Sequence, residues 1–395
     1  MKRIYLDHIA AAPIDPAVTE AMRPFMGDRF GNPQSLHSDG QTAAEAVEEA
    51  REGVAALIGA VPDEVIFTAS GTEANNLAIK GLAQAQKAKG NHLVVSSIEH
   101  ASVLNAVKSL ERSGFAATLV PVDGEGWIDP ADVAKALRPE TILVSVMTAN
   151  SEVGTIESVA EIVREVRAKA PGALVHTDAV AAAGNIPLDV KALGVDALSL
   201  SGNVFYGPKG SAALFLKKGR KLVPQIEGGI QEGGRRGGSE DVPAIVGMGK
   251  AARLAAAAMT ERAGRMSALR DRLIGGLTRS IERVRLTGSP DRRLPYHASF
   301  CVEFVEGEAM LLGLDFKGIA ASSFSACTSK SLKVSHVLLA MGLDHALAQG
   351  SLIFSLIDTI SAEDIDRVLE IFPPVVERLR NMSPLYTAYL KESGR

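Results

Sequence analysis

Short apolar runs with few charges alternate along this chain with longer amphipathic stretches. Strands are predicted at residues 64–68, 93–96, 141–146, 174–176, 197–200 and 212–216, and their continuous apolar character is that of strands covered on both faces. Helices are predicted at 43–57, 131–137, 159–168 and 244–258. The alternation predicts an α/β fold with a mostly parallel central sheet flanked by helices. Beyond about residue 260 the pattern changes to a helix at 263–282, a strand-like run at 298–304, a Ser-rich loop at 321–331 and further helical segments. A smaller α+β C-terminal domain is therefore expected. The boundary is placed near Met259, with a large domain over 13–259 and a small one over 1–12 and 260–395.

Composition narrows the picture. The chain has 395 residues, 46% hydrophobic and 22% charged, which is ordinary globular usage. Its formal net charge of −4 supplies no electrostatic reason to expect nucleic acid or an anionic membrane as partner. No uninterrupted apolar run reaches the roughly 20 residues that cross a bilayer. The first residues, MKRIYLD, meet an acid at Asp7, too early for a signal peptide. The only two cysteines, Cys301 and Cys327, make neither a disulfide framework nor a CxxC metal pattern. A reducing cytoplasm is the expected setting, and no metal ligands are assigned.

Four segments carry candidate chemistry. In FTASGTEANN (67–76), a strand meets Ser70-Gly71-Thr72 and a helix follows. Small residues there let backbone N–H groups approach an anion at a helix N-terminus, and the Thr72 hydroxyl can add to them. An ordinary N-capped helix has the same appearance. A second group lies at strand C-termini, where open α/β sheets bind ligands. It consists of His100, Asp178 and Ser201, an imidazole to stack on a ring, a carboxylate for a protonated ring nitrogen and a hydroxyl. Third, Cys327 sits in the polar stretch SSFSACTSKSLKVS, where Lys330 would favour a thiolate, whereas Cys301 lies in a predicted strand and reads as core. Fourth, EGGIQEGGRRGGS (227–239), with Arg235 and Arg236, reads either as a loop approaching an anion or a neighbouring subunit, or as a solvated loop.

Together with GNPQSLH at 31–37 and SHVLLAMGL at 335–343, these segments resemble the NifS/IscS-type cysteine desulfurases of the class V aminotransferase group. The resemblance runs from YLD at 5–7 to RLRNMSPLY at 378–386. It implies a fold-type I homodimer that binds pyridoxal phosphate (PLP) and moves sulfur from L-cysteine onto a loop cysteine. Alanine is released, and the sulfur passes to an iron–sulfur scaffold or another sulfur acceptor. By the same resemblance, Thr72 and Ser201 match phosphate contacts, with Gly71 and Asn203 beside them. His100 matches the ring-stacking imidazole, Asp178 the acid on the pyridine nitrogen, and Cys327 the persulfide cysteine. Ser239 stands where a threonine reaches the phosphate from the partner subunit. His100 and Cys327 are the candidate catalytic residues.

The departures gather at the reacting end. Where the family reads SGHK, this chain reads Ser201-Gly202-Asn203-Val204, so Val204 occupies the position of the Schiff-base lysine. Lys209 matches a different family lysine. Ile353 replaces an arginine that pairs with the substrate carboxylate, Ala181 a glutamine, Ser151 an asparagine, and His8-Ile9 a pair of asparagines. Valine can neither form an imine nor shuttle a proton. The expectation is a sulfur-transfer or iron–sulfur assembly protein working through a Cys327 persulfide, supplied with sulfide or persulfide from elsewhere. Conventional desulfuration would be lost or strongly impaired, and any PLP would be held without a covalent bond. Two alternatives are an enzyme with noncovalent PLP, another ligand or a metal among His8, His100 and Cys327, and a non-catalytic partner subunit.

Overall fold

The computed structural model describes residues 3–323 and 334–392. Cys327 and Lys330 lie outside the described residues. Twelve strands are present among those described: β1 (Ile4–Tyr5), β2 (Val65–Thr68), β3 (His92–Ser96), β4 (Ala116–Val120), β5 (Thr141–Ser145), β6 (Leu174–Asp178), β7 (Ala197–Ser201), β8 (Ala212–Leu216), β9 (Val284–Leu286), β10 (His297–Val302), β11 (Ile319–Ala320) and β12 (Ser351–Ser355).

Seven of them form the main sheet in the order β2-β8-β7-β6-β5-β3-β4. The five strands from β7 across to β4 pair in parallel, while β8 runs antiparallel to both β7 and β2. Two reversals restore the direction of β2, so its C-terminal end lies on the same edge as those of β3, β5, β6 and β7. That edge carries the site. The α/β fold with a mostly parallel central sheet is therefore as the pattern predicted. Every residue of β3, β5, β6 and β7 is buried, which is why these strands read as unbroken apolar runs. Edge strand β4 is exposed or half-buried at four of its five positions. Its mixed sequence, AATLV after Phe115, did not stand out, nor did the neighbouring helix Ala101–Glu111.

A smaller sheet has the order β12-β10-β9, all antiparallel, and β1 pairs in parallel with β11. The N-terminal segment joins this part of the molecule: Leu6 donates to Ala320 O at 2.8 Å, and Asp7 bridges to Ser355. One prediction needs correction here. The helices expected at 244–258 and 263–282 are a single 39-residue helix, Val242–Ser280. Met259-Thr260-Glu261-Arg262 contains no Gly or Pro, so nothing interrupts the hydrogen-bond ladder. By length and composition this helix could cross a bilayer, but 56% of its most apolar window is buried. It packs against helices Pro16–Met22, Ser38–Leu57 and Ala362–Asn381 as a core helix. At Gly249 the approach is so close that a Cβ would lie 2.4 Å from Ala50 Cα.

Glu157 gives this fold a pH signature. Its side chain is buried, and one oxygen accepts from Ile128 N at 3.0 Å while the other has no partner among the described residues. Burial pushes its carboxyl up to about 8. The folded state therefore holds a proton that the unfolded chain releases above about pH 4.5, so stability declines as pH rises from there towards 8. The full effect is on the order of 3–5 kcal/mol. Glu157→Gln should flatten the fall of melting temperature between pH 6 and 9, as read by calorimetry across that range, about where the carboxyl titrates.

Candidate functional site

A cavity of about 370 Å³ opens at the C-terminal edge of the main sheet. Gly71, Thr72, His100, Asp178, Ser201 and Asn203 all line it, although they come from four separate chain segments. Ser70 caps the 16-residue helix Gly71–Gln86, its hydroxyl accepting from Glu73 N at 3.1 Å. This leaves the Gly71 and Thr72 amides of the first turn to face an anion, which the helix dipole also favours. Gly71 is needed for the cup's shape, because a Cβ there would stand 2.7 Å from Val180 Cγ2. Opposite, the Ser201 hydroxyl donates to Asn203 Oδ1 at 2.6 Å.

Asp178 ends β6 and is buried. Oδ1 accepts from Val180 N at 2.9 Å and Oδ2 from Asn75 Nδ2 at 2.6 Å. Burial raises its pKa, and those two donors and His100 oppose the shift. Beneath it, fully buried Glu99 accepts from Met147 N at 2.6 Å. Burial first, and the nearby Asp178 charge second, hold the Glu99 carboxyl well above the usual carboxylate range. Of the two, Asp178, with two hydrogen-bond donors and a face on the cavity, is the better supported as the carboxylate. A buried carboxylate without a cation is what a protonated ring nitrogen satisfies.

The imidazole of His100 is oriented from behind. Asn75 Nδ2 donates to Ser102 Oγ at 2.9 Å, and Ser102 Oγ stands 2.7 Å from His100 Nδ1, which also accepts from Ser102 N at 3.2 Å. With Nδ1 accepting, the neutral ring carries its proton on Nε2. Asn75 and Ser102 were not singled out from sequence. The available signal was position: Asn75 is one turn into the helix from Gly71, on its buried face.

The residues present fit PLP. The cup, Ser201 and Asn203 would hold its phosphate, His100 its face and Asp178 its ring nitrogen, and Asn75 Oδ1 is a buried acceptor without a partner among the described residues. Among the described residues no amine reaches the cavity. Val204, 2% exposed, lines it together with Ile9, Met147, Ala149, Val180 and Ala181, and no described lysine or arginine does. Lys209 is exposed and elsewhere.

Other predicted residues lie apart. Ser239, expected to act on the partner subunit's phosphate, is exposed on the 226–240 loop and does not line this chain's own cavity. Ile353, at the position of the family's carboxylate-binding arginine, is buried on β12, outside the lining, with its backbone bonded twice to Ser322 at 2.7 and 3.0 Å. His8 is buried too. It stacks on Tyr296 and directs its ring nitrogens to the carbonyls of Leu356 and Val204, both at 2.8 Å. Cys301 is fully buried, and burial pushes its thiol up to about 12, so it is core as expected.

The sheet order, the strand-end cavity and its anion cup define a class, and comparison with known proteins agrees: residues 4–368 match the class-V aminotransferase family, to which this chain belongs. Within that class its relatives are cysteine desulfurases. It is 48% identical to cysteine desulfurase IscS of Methanosarcina thermophila over 97% of this chain and 94% of that protein. It is 47% identical to IscS of Dictyoglomus turgidum over 97% of each. Among solved structures, a NifS-like protein superposes with a TM-score of 0.90 at 35% identity, covering 96% of this chain and all of the other. A NifS-like protein from Rickettsia africae gives 0.86 at 31% identity, covering 95% of this chain and 100% of that one.

Proposed function

We propose that this chain is a sulfur-transfer protein of the IscS/NifS type that relays sulfur through Cys327 and has lost conventional PLP-dependent desulfuration. One observation carries the reading: a cavity with anion cup, imidazole and buried carboxylate has valine where the family's amine belongs, and no lysine among the described residues that line it. PLP supplies an electron-withdrawing ring when bound, and here it would be held only by noncovalent contacts. The chain's own part is to grip the phosphate at Ser70–Thr72 and hold the ring between His100 and Asp178.

A relay of this kind is redox-neutral only if sulfur arrives as a persulfide, since free sulfide would need an oxidant. The Cys327 thiolate attacks the outer sulfur of a donor persulfide. The donor's S–S bond breaks, its thiol leaves with a proton, and a new S–S bond forms at Cys327. An acceptor thiolate, on an iron–sulfur scaffold or another sulfur acceptor, repeats the exchange. The proposed setting is a reducing cytoplasm and the proposed assembly a homodimer. Phe30 and Leu36 are 82% and 93% exposed, with Met26 and Ile230 also uncovered, apolar side chains that a second subunit would cover.

Cys327→Ser tests the reading. With an isotopically labelled persulfide donor, the wild-type protein should carry one labelled sulfur and pass it to an added thiol acceptor, and the variant should do neither. Unchanged transfer by the variant would end this reading.

A further inference from the structure

The glycine-arginine loop at 226–240 is bonded to the anion cup through side chains that the cavity itself does not use. β2, which leads into the cup, is an edge strand, so its outward N–H and C=O groups have no strand to pair with. Glu232 and Arg51 supply the missing partners. Glu232 Oε2 accepts from Phe67 N at 2.9 Å, and Arg51 Nη1 donates to Val65 O at 2.9 Å. The two side chains are locked together by two bonds, of 2.8 and 2.9 Å, with 9% and 2% of their surfaces exposed. Arg51 also lies over the Phe67 ring, 4.7 Å from its centre. Glu232 holds this place in a left-handed conformation, φ 50°, that a non-glycine residue rarely adopts.

A second tie follows four residues later. Arg236 Nε donates to Glu73 Oε1 at 2.8 Å, while Glu73 Oε2 accepts from Ala69 N at 2.9 Å. The loop thus holds the strand before Ser70–Thr72 and the helical turn after it. Neither Glu73, Arg236, Glu232 nor Arg51 lines the cavity.

We infer that Glu232, Arg236 and Glu73 are positioning residues for the cup: the seating of the 226–240 loop sets where the first-turn amides point, and hence how tightly the pocket holds a phosphate ester. The affinity part rests on the reading that the pocket takes such an ester. Amide-to-phosphate bonds act at one short distance, so a cup freed on both sides loses several of them together.

The experiment uses the full chain with Arg236→Ala, Glu73→Gln, their combination, and Arg236→Lys as the conservative variant. Amide hydrogen exchange over 67–76 is measured without ligand, and pyridoxine 5′-phosphate binding by equilibrium dialysis. Arg236→Ala should speed exchange at the cup and weaken binding about ten-fold, the scale of one charge-assisted bond. Melting temperature should stay unchanged, the combination should be no weaker than either single change, and Arg236→Lys should restore most of the affinity. Faster exchange with no binding even by the wild type would support the brace and reject the phosphate reading. Unaltered exchange and affinity in a folded Arg236→Ala protein would overturn the brace.

Discussion

Supplied with PLP and L-cysteine, the purified protein should release alanine about four to six orders of magnitude more slowly than a lysine-bearing relative assayed beside it, the usual cost of removing a covalent catalyst. The reason is local. Carbon–sulfur cleavage in this family needs an amine that first holds the aldehyde and then moves a proton. At position 204 the chain offers two methyl groups, and the nearest lysine in sequence, Lys209, is exposed and away from the cavity. Among the described residues no neighbour compensates: Ala181 and Ser151 are short, and Ile353 is buried outside the cavity on β12. Alanine formation measured over hours is the check.

The second large effect concerns what the cavity still holds. Asp178→Asn should weaken the binding of PLP and of pyridoxine 5′-phosphate by about 30- to 1,000-fold, because a protonated ring nitrogen would then be buried without its counter-charge. Folding stability should not fall. The new side chain's oxygen can still accept from Val180 N, and its amide can donate to Asn75 once Asn75 turns its partnerless oxygen inward. A buried carboxylate whose pKa burial already raises is also removed. Fluorescence titration paired with a melting curve separates the two effects.

Much of this was legible in the sequence because strands buried on both faces are unmistakable runs, and their ends point at the site. His100, Asp178 and Ser201 each follow such a run, and Ser70-Gly71-Thr72 follows β2, so the cavity's main contacts could be named from residues alone. What escaped were groups whose role depends on contacts distant in sequence. Asn75 and Ser102 are ordinary helix residues until folding sets them behind Asp178 and His100. Arg51 and Glu232 are 181 residues apart, and no local pattern says that they finish one sheet edge. Glu99 shows the same limit for charge, since full burial beside Asp178 rather than residue type raises its pKa well above the usual carboxylate range. The 39-residue helix was split in the sequence reading by a change of pattern that has no counterpart in the backbone.

The missing amine is tested most directly by reductive trapping. The native protein is mixed with one equivalent of PLP per chain, reduced with borohydride, digested and mapped by mass. The account predicts no pyridoxyl-lysine above the level of a denatured control, and a single stoichiometric one at position 204 in Val204→Lys. A stoichiometric pyridoxyl group on any one lysine of the unaltered chain would contradict it.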